Sequence, residues 1–251
     1  MGVWLRLELQ RLLPRILGLL AFGAMFLAAA ATARLFAGSD GHVEFDRLMG
    51  AGGYPLVSAL LLTGWLVGRF PLLAVIVLSA GVFSRDRDSG FARLVATRAR
   101  APLLLFFMRV LLVLLVAGAL SALVLPAFDV LMLGRLPGSQ LFALVLGYVL
   151  VFGALTALLS TLTRADGWIA LFAAIAAIVW HALLRAGAVV AAAPGPRGLL
   201  TALLPPQGAL AQLETAFAAD EAVPGFALVY CATYAALALV LAGVAAARRE
   251  L

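Results

Sequence analysis

Two ionisable side chains stand apart from the others, which mostly lie at the ends of long apolar runs. Arg69 interrupts such a run, and His181 lies inside another beside Trp180. A charge at membrane depth is costly unless it is paired or faces a cavity, so Arg69 is either part of a translocation path or gate, or a marker of the membrane surface. His181 either binds a ligand or carries a proton, or it is a hydrogen-bonded packing residue. Packing is favoured, because its own run contains no second histidine and no acid.

Other residues with possible chemistry have simpler interpretations. Asp40, His42, Glu44 and Asp46 alternate with apolar residues and define no coordination geometry, so a solvated external loop is favoured over a metal site. Cys231 is the single cysteine and lies in an apolar run, which indicates a buried, inert thiol. The sequence contains no phosphate-binding Gly-rich loop, no zinc-binding His-Glu-x-x-His pair and no Gly-x-Ser-x-Gly turn. We therefore predict a non-catalytic chain without a cofactor of its own.

The composition predicts an all-α integral membrane protein. Of 251 residues, 65% are hydrophobic and 12% are charged, whereas a soluble domain is roughly 45–50% apolar and about 25% charged. Six crossings of about 20 residues each use most of this length, so residues 1–251 form a single transmembrane domain. All 18 basic residues are arginine, which indicates GC-rich codons and a bacterial source. They form no stripe interleaved with aromatics, so nucleic acid is not a predicted partner.

The apolar runs predict a definite order of elements. An amphipathic helix over residues 4–15, which includes Glu8, lies in the membrane interface, and Pro14 ends or kinks it. We interpret the next apolar run as a retained span rather than a signal peptide. Between the fifth and sixth spans, prolines and short apolar segments predict an external re-entrant hairpin, with Leu204-Pro205-Pro206 leading into a helix over residues 209–217. The predicted spans cover residues 16–33, 65–83, 103–125, 141–162, 168–190 and 226–247, and residues 126–140 form a loop between the third and fourth.

The distribution of arginines orients this arrangement. With the N-terminus inside, the cytoplasmic side carries most arginines, and the external side carries Arg34, Arg47, Arg135 and Arg197. Both termini are therefore predicted to be cytoplasmic.

The most charged stretch, residues 84–102, falls on the cytoplasmic side of this arrangement. Asp86 and Asp88 can stabilise the N-terminus of a short helix that begins near Phe91. Leu94 and Val95 share one face of that helix with Phe91, whereas Arg93 points elsewhere. Periodicity leaves two uses open: the helix rests on lipid, or it fills a groove on a soluble partner.

The order of residues around Gly90 resembles a signature loop of ABC type 2 permeases. In that family an acidic turn with a glycine precedes a short coupling helix, which docks on a separate ATP-hydrolysing subunit. Asp86, Asp88 and Gly90 occupy the acidic and glycine positions, and Arg109 falls where a basic residue commonly starts the next span. The N-terminal segment with Glu8 resembles the elbow helix of the family. Here the acids are aspartates where the family usually has glutamate.

The resemblance implies the permease subunit of an ATP-binding-cassette exporter. It implies a homodimer or heterodimer in the bacterial inner membrane with two cytoplasmic ATPase subunits, which bind ATP and Mg²⁺. The coupling residues would be Asp86, Asp88, Gly90, Phe91, Arg93, Leu94 and Val95. Two alternatives remain: a membrane scaffold that recruits a cytoplasmic partner, and a small secondary transporter, for which the sequence shows neither inverted repeats nor a buried ion pair.

Overall fold

The protein is all-helical over the residues described by the computed structural model, which are 2–34, 68–82, 102–133, 136–186, 201 and 203–248. Within these ranges, five helices are long and apolar enough to cross a membrane. The prediction of an α-helical, multi-pass membrane protein is therefore confirmed at this level. The helices are α1 (Gly2–Arg34), α2 (Phe70–Ser79), α3 (Pro102–Leu133), α4 (Ser139–Leu162), α5 (Asp166–Arg185), α6 (Gln207–Ala219) and α7 (Gly225–Arg248).

Helix α4 is the centre of the bundle. Two-thirds of its membrane-spanning window is buried, compared with less than a fifth for α5. Tyr148 and Phe152 are among its fully buried side chains, and their rings stack with centroids 6.1 Å apart. Helices α2, α3, α6 and α7 surround α4, and α1 packs on the outside against α3. Helix α5 also contacts α4, α2 and α6, and most of its surface is exposed among the described residues.

The contact between α4 and α7 is built from small side chains. Ala154 on α4 packs with Ala235 and Ala238 on α7, and Ala157 packs near Ala242. Small residues allow two backbones to approach closely, which maximises van der Waals contact where lipid removes the hydrophobic driving force. This alanine seam runs along most of α7.

Polar contacts show which helix ends lie together. Glu8 near the start of α1 pairs with Arg109 near the start of α3, and Asp166 at the start of α5 accepts from the backbone just after α2. We call this end of the bundle the Asp166 end. Because α4 leads into α5 through a short turn, α4 ends there as well.

The structure differs from the sequence prediction at the first helix. The predicted interfacial helix 4–15 and the first span form one continuous helix through Pro14. Glu8 is buried, whereas Leu5, Leu9 and Leu13 on the same segment are exposed. The pairing of Glu8 with an arginine on α3 accounts for this rotation, since a buried carboxylate without a partner would be far more costly than exposed leucines at a lipid-facing surface.

A second difference lies at Pro126. Residues 126–133 are helical, although the sequence predicts that the loop begins at Pro126. Proline removes one backbone hydrogen bond, but neighbouring helices and local adjustments let transmembrane helices retain it. Phe128 and Asp129 beyond it are buried, so tertiary packing holds the extra turns in place.

The second predicted span, 65–83, is described only in part. Helix α2 has ten residues, begins with Pro71 in its first turn and gives way to a turn at Ala80, where Gly81 has φ of 69°. Ten residues rise about 15 Å, roughly half of a hydrocarbon core. Six crossings and the re-entrant hairpin therefore stay predictions, although α6 provides a helix where the hairpin is predicted.

Candidate functional site

A cluster of ionisable side chains lies inside the bundle, where α2, α4 and α6 meet. The Arg69 guanidinium donates to Glu214 Oε2 at 3.3 Å, and the Tyr148 hydroxyl donates to Glu214 Oε1. The Arg69 and Glu214 side chains are 14% and 24% exposed. We call Arg69, Tyr148 and Glu214 the central cluster. Of its members, the sequence analysis singled out only Arg69.

Helix α6 packs closely against a glycine on α4, next to the position of Glu214. A Cβ added at Gly147 would lie 2.7 Å from Leu213 Cδ1 and 3.4 Å from Leu210 Cδ2. Both leucines are fully buried and anchor α6 against the bundle. Since Glu214 follows Leu213 directly, the close approach of α6 also fixes the carboxylate beside Tyr148.

The central cluster lies well inside the bundle. Arg69 precedes α2, so it stands about 15 Å along the helix axis from the Asp166 end. Tyr148 is nine residues from the start of α4, which corresponds to about 14 Å from the opposite end. Charged groups at such a depth persist when they are paired and hydrogen-bonded. Each oxygen of the Glu214 carboxylate has a donor, so this condition is met.

Gln207 adds a polar side chain to the same region. It is buried at the start of α6 and lies near Tyr148. Within the described part of the chain, its Oε1 is buried without a hydrogen-bond partner. A buried acceptor of this kind suits a water molecule or another small donor beside the cluster.

The pair of Glu8 and Arg109 forms a second ionic cluster, at the Asp166 end. Arg109 Nη2 lies 2.5 Å from Glu8 Oε1, and the two side chains are 12% and 7% exposed. Arg11 is 3.8 Å from the same oxygen but is half-exposed. The sequence analysis named Glu8 and Arg109 in separate elements, and the structure brings them together.

The end of α2 is also held at the Asp166 end. Both Asp166 carboxylate oxygens accept from the Gly81 backbone N–H at 3.1 Å, and Oδ1 also accepts from the Gly167 N–H at 2.9 Å. Arg15 on α1 donates to the Leu78 carbonyl at 2.8 Å. The two helices that flank residues 83–101 are therefore both fastened at this end, α2 to α1 and α5, and α3 to α1.

His181 lies on α5 against α6, and a Cβ added at Gly208 would lie 3.7 Å from its ring. Its Nε2 is buried without a hydrogen-bond partner among the described residues, so the hydrogen bond expected of a packing histidine is not seen at this atom. It faces a cavity shared by α5, α6 and the start of α7. The neighbouring Trp180 Nε1 donates to Thr201 Oγ1 at 3.0 Å.

Several predicted residues fall outside the described part of the chain. They are the coupling residues Asp86, Asp88, Gly90, Phe91, Arg93, Leu94 and Val95, together with the external loop residues Asp40, His42, Glu44 and Asp46. Cys231 is described, and it is a buried free thiol.

The residues that sequence reasoning missed are Glu214 and Tyr148. A signal for Glu214 was present, because it is the one acid in the predicted helix over residues 209–217, which is otherwise mostly apolar. Tyr148 is one polar hydroxyl in a long apolar run, and nothing in its spacing distinguishes it from a packing aromatic.

Fold and site together define an α-helical multi-pass membrane protein with an ionic cluster inside its bundle. No protein-family model, curated protein or solved structure matches this chain.

Proposed function

We propose that the chain is the permease subunit of an ATP-driven exporter that resembles the ABC type 2 family. It would act as a homodimer or heterodimer in the bacterial cytoplasmic membrane, with both termini and the Asp166 end facing the cytosol. Two separate ATPase subunits would bind ATP and Mg²⁺ and would dock on the charged segment around Gly90.

The observation that carries the proposal is that the segment 83–101 joins two helices fastened at one end of the bundle. Gly81 after α2 is held by Asp166, and Arg109 near the start of α3 is held by Glu8. A force applied to the segment would therefore reach α1, α3 and α5 together. This is the mechanical arrangement that a coupling segment needs.

Helix α2 offers a route from that segment to the interior. It begins directly after Arg69, which pairs with Glu214 on α6. Displacement of α2 along its axis would pull on this ion pair and therefore on α6. Movement driven at the Asp166 end would thus alter the opposite half of the bundle, where a substrate would leave.

The test is whether the full-length permease captures an ATPase encoded beside its gene. Phe91→Asp with Leu94→Asp places charge on the predicted apolar face of the coupling helix, so we expect co-purification and permease-stimulated ATP hydrolysis to be lost. Thr97→Asp adds a like charge off that face and is the matched control. Unchanged capture by the Phe91 and Leu94 double variant would show that docking lies elsewhere.

A secondary transporter is the second candidate, and the central cluster favours it. No buried ion pair is evident from the sequence, whereas Arg69 and Glu214 form one in the structure. Gln207 also supplies a buried acceptor beside Tyr148. Purified permease without any ATPase, reconstituted in vesicles with a pH gradient, distinguishes the two candidates. Proton flux that Glu214→Gln abolishes would favour the secondary transporter.

A scaffold that recruits a cytoplasmic partner is the remaining alternative. It predicts the same dependence of partner capture on Phe91 and Leu94. It differs from the exporter in that ATP hydrolysis by the captured partner would not change when the permease is added.

A further inference from the structure

A cavity of about 430 Å³ lies between the end of α5, helix α6 and the start of α7. His181 and Arg185 line it from α5, Gln212 lines it from α6, and Glu221 and Pro224 line it from the turn before α7. Small-molecule sites commonly have volumes of roughly 300–1,000 Å³, so this cavity has room for a ligand. Its lining includes no residue of the central cluster, although Glu214 directly precedes the lining residue Thr215.

Three ionisable side chains line this cavity, and none of them pairs with another described side chain. Among the described residues, Arg185 and Glu221 line the same space without forming an ion pair with each other or with any other side chain. The Nε2 atom of His181 is buried and also lacks a partner within the described ranges. Polar groups that line a concave site and remain unpaired are available to fix the orientation of a ligand.

The basic and the acidic side chains of the cavity lie on different structural elements. His181 and Arg185 are four residues apart and therefore share one face of α5. Glu221 stands across the cavity, in the turn that follows α6, where Asp220 adopts the left-handed conformation with φ of 55°. A simple anion would be repelled by Glu221 and a simple cation by Arg185, so a ligand that carries both charges fits best.

The surroundings of the cavity are apolar and face lipid. His181 is fifteen residues beyond the start of α5, so the cavity lies about 22 Å along the axis from the Asp166 end, near the opposite membrane surface. Leu183 is exposed on the side of α5 opposite His181 and Arg185, and Phe226 on α7 is exposed two residues beyond Pro224 of the lining. A ligand there would have its polar part in the cavity and its apolar part along these helices.

We propose that this cavity binds the headgroup of a zwitterionic phospholipid that carries a primary amine. Its phosphate accepts hydrogen bonds from Arg185 and His181, and its ammonium donates to the Glu221 carboxylate. Arginine suits the phosphate because its planar guanidinium can donate two parallel hydrogen bonds. The Gln212 amide offers a further donor to the phosphate or glycerol oxygens. The inference does not depend on an ATPase partner.

The experiment is a lipid titration of the full-length protein in detergent, followed by native mass spectrometry. Short-chain phosphatidylethanolamine is compared with phosphatidylglycerol of equal chain length, with free phosphoethanolamine and with inorganic phosphate. We expect phosphatidylethanolamine to bind about tenfold more tightly than phosphatidylglycerol, since it alone satisfies Glu221 and keeps an acyl chain. Free phosphoethanolamine should bind more weakly, because it lacks the apolar part.

Substitutions of the charged residues test whether the lipid binds in this cavity. Arg185→Gln and Glu221→Gln should each weaken phosphatidylethanolamine binding by about tenfold, and Glu221→Gln should remove the preference over phosphatidylglycerol. Arg248→Gln and Asp220→Asn are matched controls, because neither residue lines the cavity. Arg185 and Glu221 are exposed, so their substitution should leave the fold intact, which thermal unfolding checks.

Three outcomes would overturn the inference. Equal binding of the two lipids by the unmodified protein would show that Glu221 does not bind the ammonium group. Binding of inorganic phosphate as tight as that of phosphatidylethanolamine would indicate a plain anion site. Unchanged lipid binding in both the Arg185 and Glu221 variants would place the lipid elsewhere on the protein.

Discussion

Glu8 and Glu214 are buried or half-buried carboxylates, and each meets an arginine from a distant part of the chain. Glu8 lies 101 positions from Arg109, and Glu214 lies 145 positions from Arg69. Removing one member of a buried pair leaves an uncompensated charge, which costs more than removing both. The value of each pair is therefore best measured with double-mutant cycles.

We expect Arg109→Gln to destabilise the protein by roughly 3–5 kcal/mol, because it strands the Glu8 carboxylate. Glu8→Gln combined with Arg109→Gln should recover part of that loss. Thermal unfolding in detergent micelles measures both. Arg11→Gln is the control, and it should cost no more than about 1 kcal/mol, since Arg11 is half-exposed. Equal losses in the single and double variants would contradict the pairing.

In the central cluster, Tyr148→Phe removes one hydrogen bond to a carboxylate and should cost about 1.5–3 kcal/mol. If the hydroxyl acts through Glu214, this cost should shrink in a Glu214→Gln background. Tyr230→Phe is the comparison, because Tyr230 is exposed on α7 and stacks on Phe226. Additive effects of the Tyr148 and Glu214 substitutions in denaturant unfolding would show that the two side chains do not interact.

At this scale the sequence identified residues without identifying their partners. Arg69 was recognisable because a charge stood in an apolar run, and such a charge must be paired, face a cavity or lie at the membrane surface. The partner itself could not be found, since Glu214 comes from a segment interpreted as external. Pairing over such separations depends on how helices pack, which short-range periodicity does not encode.

At the scale of elements, the contact between α2 and α5 depends on one glycine. A Cβ added at Gly167 would lie 2.6 Å from Ala80 Cβ and 3.5 Å from Ala80 Cα, neither of which can rotate away. The Asp166 hydrogen bonds to Gly81 are formed at the same place. Anything that enlarges residue 167 therefore separates the start of α5 from the end of α2.

We expect Gly167→Ala to destabilise the protein by about 1–3 kcal/mol, the usual cost of overpacking. Ala80→Gly in the same chain should restore part of the lost stability, because it removes the methyl group that the new Cβ would overlap. Gly118→Ala on α3 is the control, because a Cβ added there would meet no described atom within 4 Å outside its own helix backbone. This substitution should be neutral or should stabilise the protein by roughly 0.5–1 kcal/mol. Thermal unfolding of these variants measures the change in stability. If Gly167→Ala leaves the stability unchanged, the contact between residue 167 and Ala80 is contradicted.

Hydropathy predicts helices well and predicts their ends less well. The helix Ser139–Leu162 lies where a span over residues 141–162 is expected, because a long apolar run in lipid has no other way to satisfy its backbone. Neither Pro14 nor Pro126 ends its helix: Pro14 is exposed on the continuous α1, and Phe128 and Asp129 beyond Pro126 are buried. The sequence also did not predict the rotation of α1 that buries Glu8, because this rotation depends on an arginine on another helix.

At the scale of the whole molecule, alternating helix directions constrain the topology. The starts of α1, α3 and α5 lie at the Asp166 end with the end of α2, as the Glu8, Arg15 and Asp166 contacts require. The end of α7 joins them, since Ala242 packs with Phe106 and Val110 near the start of α3. The orientation of this end relative to the cell is a prediction from arginine distribution alone.

Cysteine accessibility tests that orientation. In a Cys231→Ala background, we expect Ser89→Cys to react with a membrane-impermeant maleimide only after the cells are opened. Asp46→Cys should react in intact cells, because the sequence predicts an external loop there. Removal of Cys231 should be well tolerated, since the thiol is buried in a face of small residues. Labelling of Ser89→Cys in intact cells would reverse the assignment.

The alanine seam between α4 and α7 has a mechanical consequence. Methyl groups meet at Ala154, Ala157, Ala235 and Ala238, so the relief is shallow there, and the leucines that border this stretch are Leu150 and Leu158 on α4 and Leu239 on α7. The opposite flank of α4, with Tyr148 and Phe152 locked among neighbours, resists such slippage. We expect any displacement of α7 along α4 to be short and to end where these leucines meet, while the aromatic side stays still.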